Sequence, residues 1–353
     1  MSYALQKNRI DASKMMNCRS VDDVAMLLEV PAYKLQLLSM NPRYSSFKLP
    51  KADGSFRLIE APDTDLKKIL RRLNHFLQSV YFQQLPESVY GFVINPGNSE
   101  EARNLVKNAE QHLGAPYMLN ADFEDFFHQV SEESVYEIFS NVPFQLSTDA
   151  AILLSRLVVY QYRLPMGSPT SPVLSNFACL EMDESILEYA KTNEIVYSRF
   201  ADDLTFSSNR KISQDFFQYV TTVCYASNFT FNPQKIRWME PNDIKEVTGL
   251  IVGDENVRIP DDFFVELNRD LKRIKHLSAA KYLMRGNQNA DLLDEFSQHV
   301  EGKLQFVRMV YGEQHDQFLK YSNRYLKSRE PVVTNQTLKW RDLPYSFLLL
   351  NEE

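Results

Sequence analysis

Two apolar runs, Ile195–Phe200 and Leu204–Ser207, are joined across Ala201-Asp202-Asp203. They read as two strands of a hydrophobic hairpin whose tip holds two adjacent acids. In isolation such an Asp-Asp pair is an ordinary turn. A third acid, Asp122, closes another apolar strand, Tyr117-Met118-Leu119-Asn120-Ala121-Asp122. Taken alone it reads as a helix N-cap following a strand. Together the three constrain the chain more. Carboxylates at the strand ends of one sheet can converge on a single edge, where buried like charges repel unless cations neutralise them. Mg²⁺ takes carboxylate and phosphate oxygens. Two such ions about 3.5–4 Å apart can activate an attacking hydroxyl and stabilise a leaving oxygen. That is the chemistry of nucleotidyl transfer.

The surrounding pattern is α+β. Residues 1–45 read as helical, with Val21–Leu28 amphipathic. Phe47–Leu49 and Phe56–Ile59 flank a turn at Gly54 and predict a hairpin. Thr64 is read as the cap of a helix carrying Leu66, Ile69, Leu70, Leu73, Phe76, Leu77 and Val80. Its other face holds Lys67, Lys68, Arg71, Arg72 and His75, a solvated face or a phosphate track. After Asp122, Ser147 or Thr148 caps a helix to Tyr160, and Pro172 opens another to about Ala190. Lys211–Asn228 is helical, and Phe229–Phe231 and Ile236–Met239 are short strands. Val247–Val252 and Val257–Ile259 form a hairpin, and helices alone follow Pro260. The middle third is an antiparallel sheet with helices.

The chain has 353 residues, 44% hydrophobic and 24% charged, which suits a globular protein of two or three subdomains. Only 10 residues are glycine, which favours helices over tight-turned β architecture. No apolar run reaches a membrane-spanning length, and no signal peptide is evident at the start. Cys18, Cys179 and Cys224 are too scattered for a disulfide framework or a zinc site, and they suit a reducing cytoplasm. The net charge of −7 weighs mildly against nucleic-acid binding, so the local pattern must decide.

At this point the sequence resembles the reverse transcriptases, and among them those of bacterial retrons. Phe200-Ala201-Asp202-Asp203 is similar to that family's Tyr-Ala-Asp-Asp box, and Asp122–Phe127 to the box of the first catalytic aspartate. Leu164–Asn176, Gly54–Pro62 and Tyr90–Val93 resemble three further boxes, all in order. Asn108-Ala109-Glu110-Gln111-His112 and Val247-Thr248-Gly249 are similar to the two retron signatures. Two departures stand out: Phe200 replaces the usual tyrosine, and Met166 stands where most relatives carry a glutamine that contacts the nucleotide.

The resemblance implies a right-hand polymerase. N-terminal helices and fingers would occupy 1–116, a palm 117–259 with fingers elements interleaved around 140–175, a helical thumb 260–330, and a tail 331–353. It implies that Asp122, Asp202 and Asp203 are catalytic and hold two Mg²⁺ ions, with the Phe123 carbonyl as a further ligand. Arg57 would clamp the triphosphate with its fixed guanidinium fork, assisted by Lys48 or Lys51. Phe127 would be the steric gate against a 2′-hydroxyl, Met166 would line the nucleotide site, and Lys235 would protonate leaving pyrophosphate. Asn108, His112, Val247, Thr248 and Gly249 would bind RNA. Asn108 and His112, four apart, would share one helix face. The thumb would grip template–primer through shape and phosphates, and its end is locally basic at Lys320, Arg324, Lys327 and Arg329.

The function so implied is RNA-directed DNA polymerisation. The enzyme would copy a cognate structured noncoding RNA into RNA-linked multicopy single-stranded DNA (msDNA) from deoxynucleoside triphosphates. It would act in antiphage defence beside a separate effector protein, without a membrane. The competing readings are a group II intron-like or abortive-infection reverse transcriptase, and a non-catalytic RNA-binding scaffold. The intact aspartates weigh against the last.

Overall fold

The computed structural model describes residues 3–50, 54, 56–96, 102–284 and 287–329. Lys51 and the tail 331–353 lie outside them. The chain divides into two units, Met1–Thr248 and Gly249–Glu353.

The first unit opens with three helices, α1 (Tyr3–Met16), α2 (Val21–Leu28) and α3 (Ala32–Met40). Ser20 and Asp23 form a reciprocal capping box on α2, which satisfies N–H groups that a helix start leaves unpaired. The hairpin β1 (Tyr44–Pro50) and β2 (Phe56–Pro62) follows, with Leu49 opposite Arg57 and Ser46 opposite Glu60. Next comes α4 (Thr64–Phe82). Its cap is Asp63 rather than Thr64: the Asp63 carboxylate accepts the Leu66 N–H at 2.8 Å. The expected apolar positions of α4 are all buried. Each large apolar side chain so buried contributes roughly 1.5–3 kcal/mol. Its basic face is partly spoken for: Arg72 pairs with Glu29 and His75 with Asp11.

A short α5 (Leu105–Glu110) leads into β3 (Tyr117–Asp122). A 3₁₀ turn at Phe126–Gln129, then α6 (Glu132–Ser140), α7 (Thr148–Val158), α8 (Ser171–Ala178) and α9 (Leu180–Thr192) precede β4 (Val196–Phe200) and β5 (Asp203–Ser208). Ser147 caps α7. The single helix expected from Pro172 to Ala190 is two, divided at Cys179. After α10 (Gln214–Ala226) come β6 (Arg237–Met239) and the two-residue β7 (Glu246–Val247). The expected strand Phe229–Phe231 is absent, and Phe231 makes one isolated bridge to Phe123.

The sheet that positions the acids has the order β4-β5-β3-β6, antiparallel throughout. β3 is paired on both edges, and Met118, Leu119 and Ala121 are buried, as its apolar run requires.

The second unit contains the hairpin β8 (Leu250–Val252) and β9 (Val257–Arg258), then α11 (Asp261–Met284), α12 (Asn287–Tyr311) and α13 (Asp316–Arg329). The helices pack on one another through residues such as Leu267, Leu271, Ile274, Val300, Leu304, Val307 and Tyr321. The basic end of α13 is partly engaged, since Arg324 bonds Asn268 and Arg329 pairs with Glu301. The strands β8 and β9, read from the sequence with the palm, fall in this second unit.

Candidate active site

Antiparallel pairing of β3 with β5 sets Asp122 opposite Asp203, and pairing of β4 with β5 sets Asp203 opposite Phe200. Asp202 sits in the turn between β4 and β5, and its carbonyl accepts the Phe123 N–H at 3.1 Å. The three acids therefore share one end of the sheet. Burial, a hydrogen bond with Asp122 and the charges of Asp202 and Asp122 push the Asp203 carboxyl up to about 8. Burial and the Asp122 charge also raise Asp202, while the charges of Lys235 and Arg57 pull it the other way. Three carboxylates held this way cannot all ionise without cations. Lys235 supplies one: its Nζ lies 2.6 Å from Asp122 Oδ1. Phe123 is wholly interior, with its ring stacked on Phe126 and Phe231. Only its backbone faces the acids.

The turn is gripped from behind. Arg199 is fully buried, and its Nε and Nη2 hold the buried Asp183 carboxylate at 2.6–3.2 Å. Its Nη1 donates to the Ala201 carbonyl at 2.9 Å and to Asn176 Oδ1 at 3.0 Å. Asn176 Nδ2 donates in turn to the Gly91 carbonyl at 3.0 Å. Gly91 itself lies against the turn: a Cβ there would come 2.3 Å from Ala201 N. Only glycine permits that approach.

The residues expected to meet a nucleotide come from three segments of the same unit. Arg57 projects from β2 and is exposed. Its charge is felt at Asp202. Phe127 is half-buried and packs its ring on Phe92 at 5.8 Å. Met166 accepts the Glu60 N–H on its carbonyl at 2.7 Å.

The expected RNA contacts divide. Asn108 and His112 are each 1% exposed, and α5 ends before His112. The His112 ring lies between Ser207 Oγ and Ser198 Oγ, 2.7 Å from each. His112 thus bridges β4 and β5, and both side chains are buried in the palm rather than presented together on one helix face. Val247 is likewise buried. Thr248, half-buried, and Gly249, exposed, both have left-handed backbones.

The profile described as "Reverse transcriptase (RNA-dependent DNA polymerase)" matches residues 49–278. The chain belongs to the reverse transcriptase family. This reverse transcriptase is similar to the retron Ec86 reverse transcriptase of Escherichia coli, 26% identical over 85% of this chain and 87% of the relative. It is also similar to the retron Ec83 reverse transcriptase of the same species, 26% identical over 77% and 85%. Similarity to retron reverse transcriptases, read from the motifs, is thus shown over most of the chain. The structure of apo telomerase from Candida tropicalis overlays at a TM-score of 0.46 with 11% identity, covering 81% of this chain and 61% of that one. The fold is the α+β right-hand polymerase fold, and the family activity is RNA-directed DNA polymerisation on an RNA template. Among the described residues no helix is long and apolar enough to cross a membrane.

Reverse transcriptases use divalent metal ions. Among the described residues no three His, Cys, Asp or Glu side chains already form a set of metal ligands. Asp203 lies opposite Asp122 across the ladder, and Asp122 is paired with Lys235. The donor chemistry nevertheless fits a hard cation. The acids supply carboxylate oxygens only, they repel one another, and the Lys235 side chain that competes with a cation for Asp122 is 53% exposed. Asp122, Asp202 and Asp203 would hold the ion.

Motif reading missed the groups behind the site: Glu60, His128, Arg163, Asn176, Asp183 and Arg199. One signal was present. Arg199 lies inside an apolar strand, and a charge there requires a buried partner.

Proposed function

We propose that this reverse transcriptase is a retron enzyme. It copies a cognate structured noncoding RNA into msDNA from deoxynucleoside triphosphates, in the cytoplasm, as one part of an antiphage system with a separate effector. The observation that carries the chemistry is Asp122 directly opposite Asp203 with Asp202 in the adjoining turn. The retron assignment is supported by the similarity to retron reverse transcriptases along 85% of the chain.

Two Mg²⁺ ions held by Asp122, Asp202 and Asp203, with the Phe123 carbonyl as a further ligand, would supply activation of the primer hydroxyl and neutralisation of the leaving pyrophosphate. Arg57 binds the triphosphate from β2; Lys48, paired with Leu58, lies on the other face of the hairpin. Phe127 fills the space of a 2′-hydroxyl, and Met166 borders the base. Lys235 keeps its proton at Nζ while paired with Asp122: burial works against its charge, but the Asp122 hydrogen bond and the three acids raise its pKa. The pairing holds that proton; donation to pyrophosphate would follow once cations on the acids release Lys235 from Asp122. Gly249 keeps the RNA-binding assignment because its backbone is exposed, and Thr248 keeps it through its half-buried backbone, its hydroxyl being buried. Asn108, His112 and Val247 do not, and support the palm instead.

The test is to purify the protein from cells carrying its native locus and sequence the nucleic acid that comes with it. The reading predicts one RNA species joined through a 2′ branch to single-stranded DNA complementary to itself. RNA without linked complementary DNA contradicts it.

A further inference from the structure

We propose that Glu60, His128 and Arg163 are positioning residues that lock the incoming-nucleotide pocket together from behind. The Glu60 side chain is 2% exposed and its carboxylate is shared. Arg163 Nη1 donates to Oε2 at 2.9 Å and Nη2 to Oε1 at 3.1 Å, a bidentate fork. His128 Nε2 lies 3.1 Å from Oε2. An acid this deep is retained only when paired and hydrogen-bonded, and here both oxygens are.

Each of the three comes from a different segment, and each segment carries one residue assigned to the nucleotide. Glu60 is on β2 with Arg57. His128 follows Phe127 in the 3₁₀ turn. Arg163 precedes Leu164-Pro165-Met166. Backbone contacts complete the arrangement. Glu60 N–H donates to the Met166 carbonyl at 2.7 Å, and Leu164 N–H to the Val130 carbonyl at 3.0 Å. Gly167 has φ +130°, and a Cβ there would come 2.8 Å from the Glu60 carbonyl oxygen. The loop therefore lies directly on β2.

These segments are far apart in sequence, and no secondary-structure element joins all three. Side chains held this way can be placed to within the tolerance that catalysis needs. Glu60 lies on the opposite face of β2 from Arg57, by strand alternation, so it acts through the backbone and does not touch the triphosphate. The function is to fix triphosphate clamp, sugar gate and base-side loop at one spacing, so that binding and sugar selection change together when it is lost.

This inference rests on the reading of Arg57, Phe127 and Met166 as nucleotide-facing. Its test is steady-state extension of a preannealed DNA primer on an RNA template by wild type, Glu60→Gln and His128→Gln. The active fraction is taken from burst amplitude, and deoxy- and ribonucleotides are compared. Glu60→Gln is expected to raise KM for deoxynucleotides by about tenfold or more. The preference for deoxynucleotides should weaken in the same variant, while template–primer affinity holds. His128→Gln should shift both quantities in the same direction by less, and its partly exposed site makes it the variant that decides if Glu60→Gln does not fold.

A merely structural role predicts a lower burst amplitude with unchanged KM and unchanged sugar preference. That result in the folded variants overturns the inference while leaving the polymerase reading intact. Failure of the wild type to extend any primed RNA template would overturn the polymerase reading, and this inference with it.

Discussion

Arg199 Nη1 donates to the carbonyl of Ala201 at 2.9 Å, and its Nε and Nη2 hold Asp183, with both side chains wholly buried. The residue before the Asp-Asp pair is thus tied to an ion pair inside the palm. Tyr197 OH adds a third donor to Asp183 at 2.7 Å. Removing one partner of such a pair leaves a buried charge unmatched, which costs about 3–5 kcal/mol. Asp183→Asn should therefore lower unfolding free energy by that order in a urea titration. An unchanged midpoint and slope would show that the pair contributes nothing.

Gly91→Ala should act on the turn rather than on global stability. The added Cβ would meet Ala201 N at 2.3 Å and Phe200 C at 2.9 Å, backbone atoms that cannot swing away. The turn carrying Asp202 must move. Misplacement by about 1 Å can lower rate by about 10²-fold, so kcat in primer extension should fall by that order while circular dichroism stays native. Wild-type kcat would mean that the turn yields freely.

His112 makes a pH prediction. Burial pushes its pKa down from 6.5 to about 3, so the ring stays neutral in the fold. In the unfolded chain it protonates near its ordinary value. The unfolded state then binds more protons between those two values, and this contribution to stability is lost as pH falls from about 6.5 toward 3. His112→Gln should be less stable at pH 7 because it loses a serine bond. It should also show a shallower decline of melting temperature from pH 7 to pH 4. Parallel declines would contradict this account of His112.

The elements with strong periodicity were legible: α2, α4, the β1–β2 hairpin, β3 and the long helices after Pro260. So was the convergence of Asp122 with Asp202 and Asp203, because strand-end acids have few places to go. What was not legible arises from tertiary packing. Four-residue spacing places Asn108 and His112 on one helix face, but α5 stops at Glu110 and the palm sheet captures the His112 ring with two serines. The Glu60 pairing joins residues 103 positions apart, which no local pattern encodes. The cap of α4 moved one residue because Asp63 outcompetes Thr64 for the Leu66 N–H.

Phe127→Ala should raise ribonucleotide incorporation relative to deoxynucleotide. Phe127 is half-buried against Phe92 and Phe126, so the stability loss should fall below the roughly 3–5 kcal/mol of a fully buried phenylalanine. Competitive incorporation on one RNA template, after confirming the fold, measures it. Undiminished discrimination would make Phe127 a packing residue only.

The most direct measurement is Mg²⁺-dependent extension of a DNA primer on an RNA template by wild type and Asp203→Asn, compared at equal folded concentration. Asp203 faces Asp122 across the ladder, and its amide replacement keeps the shape but removes a carboxylate from the shared end of the sheet. The account predicts robust synthesis by wild type and none above background by Asp203→Asn, with both proteins melting cooperatively. Near-normal synthesis by Asp203→Asn would contradict the assignment of this site.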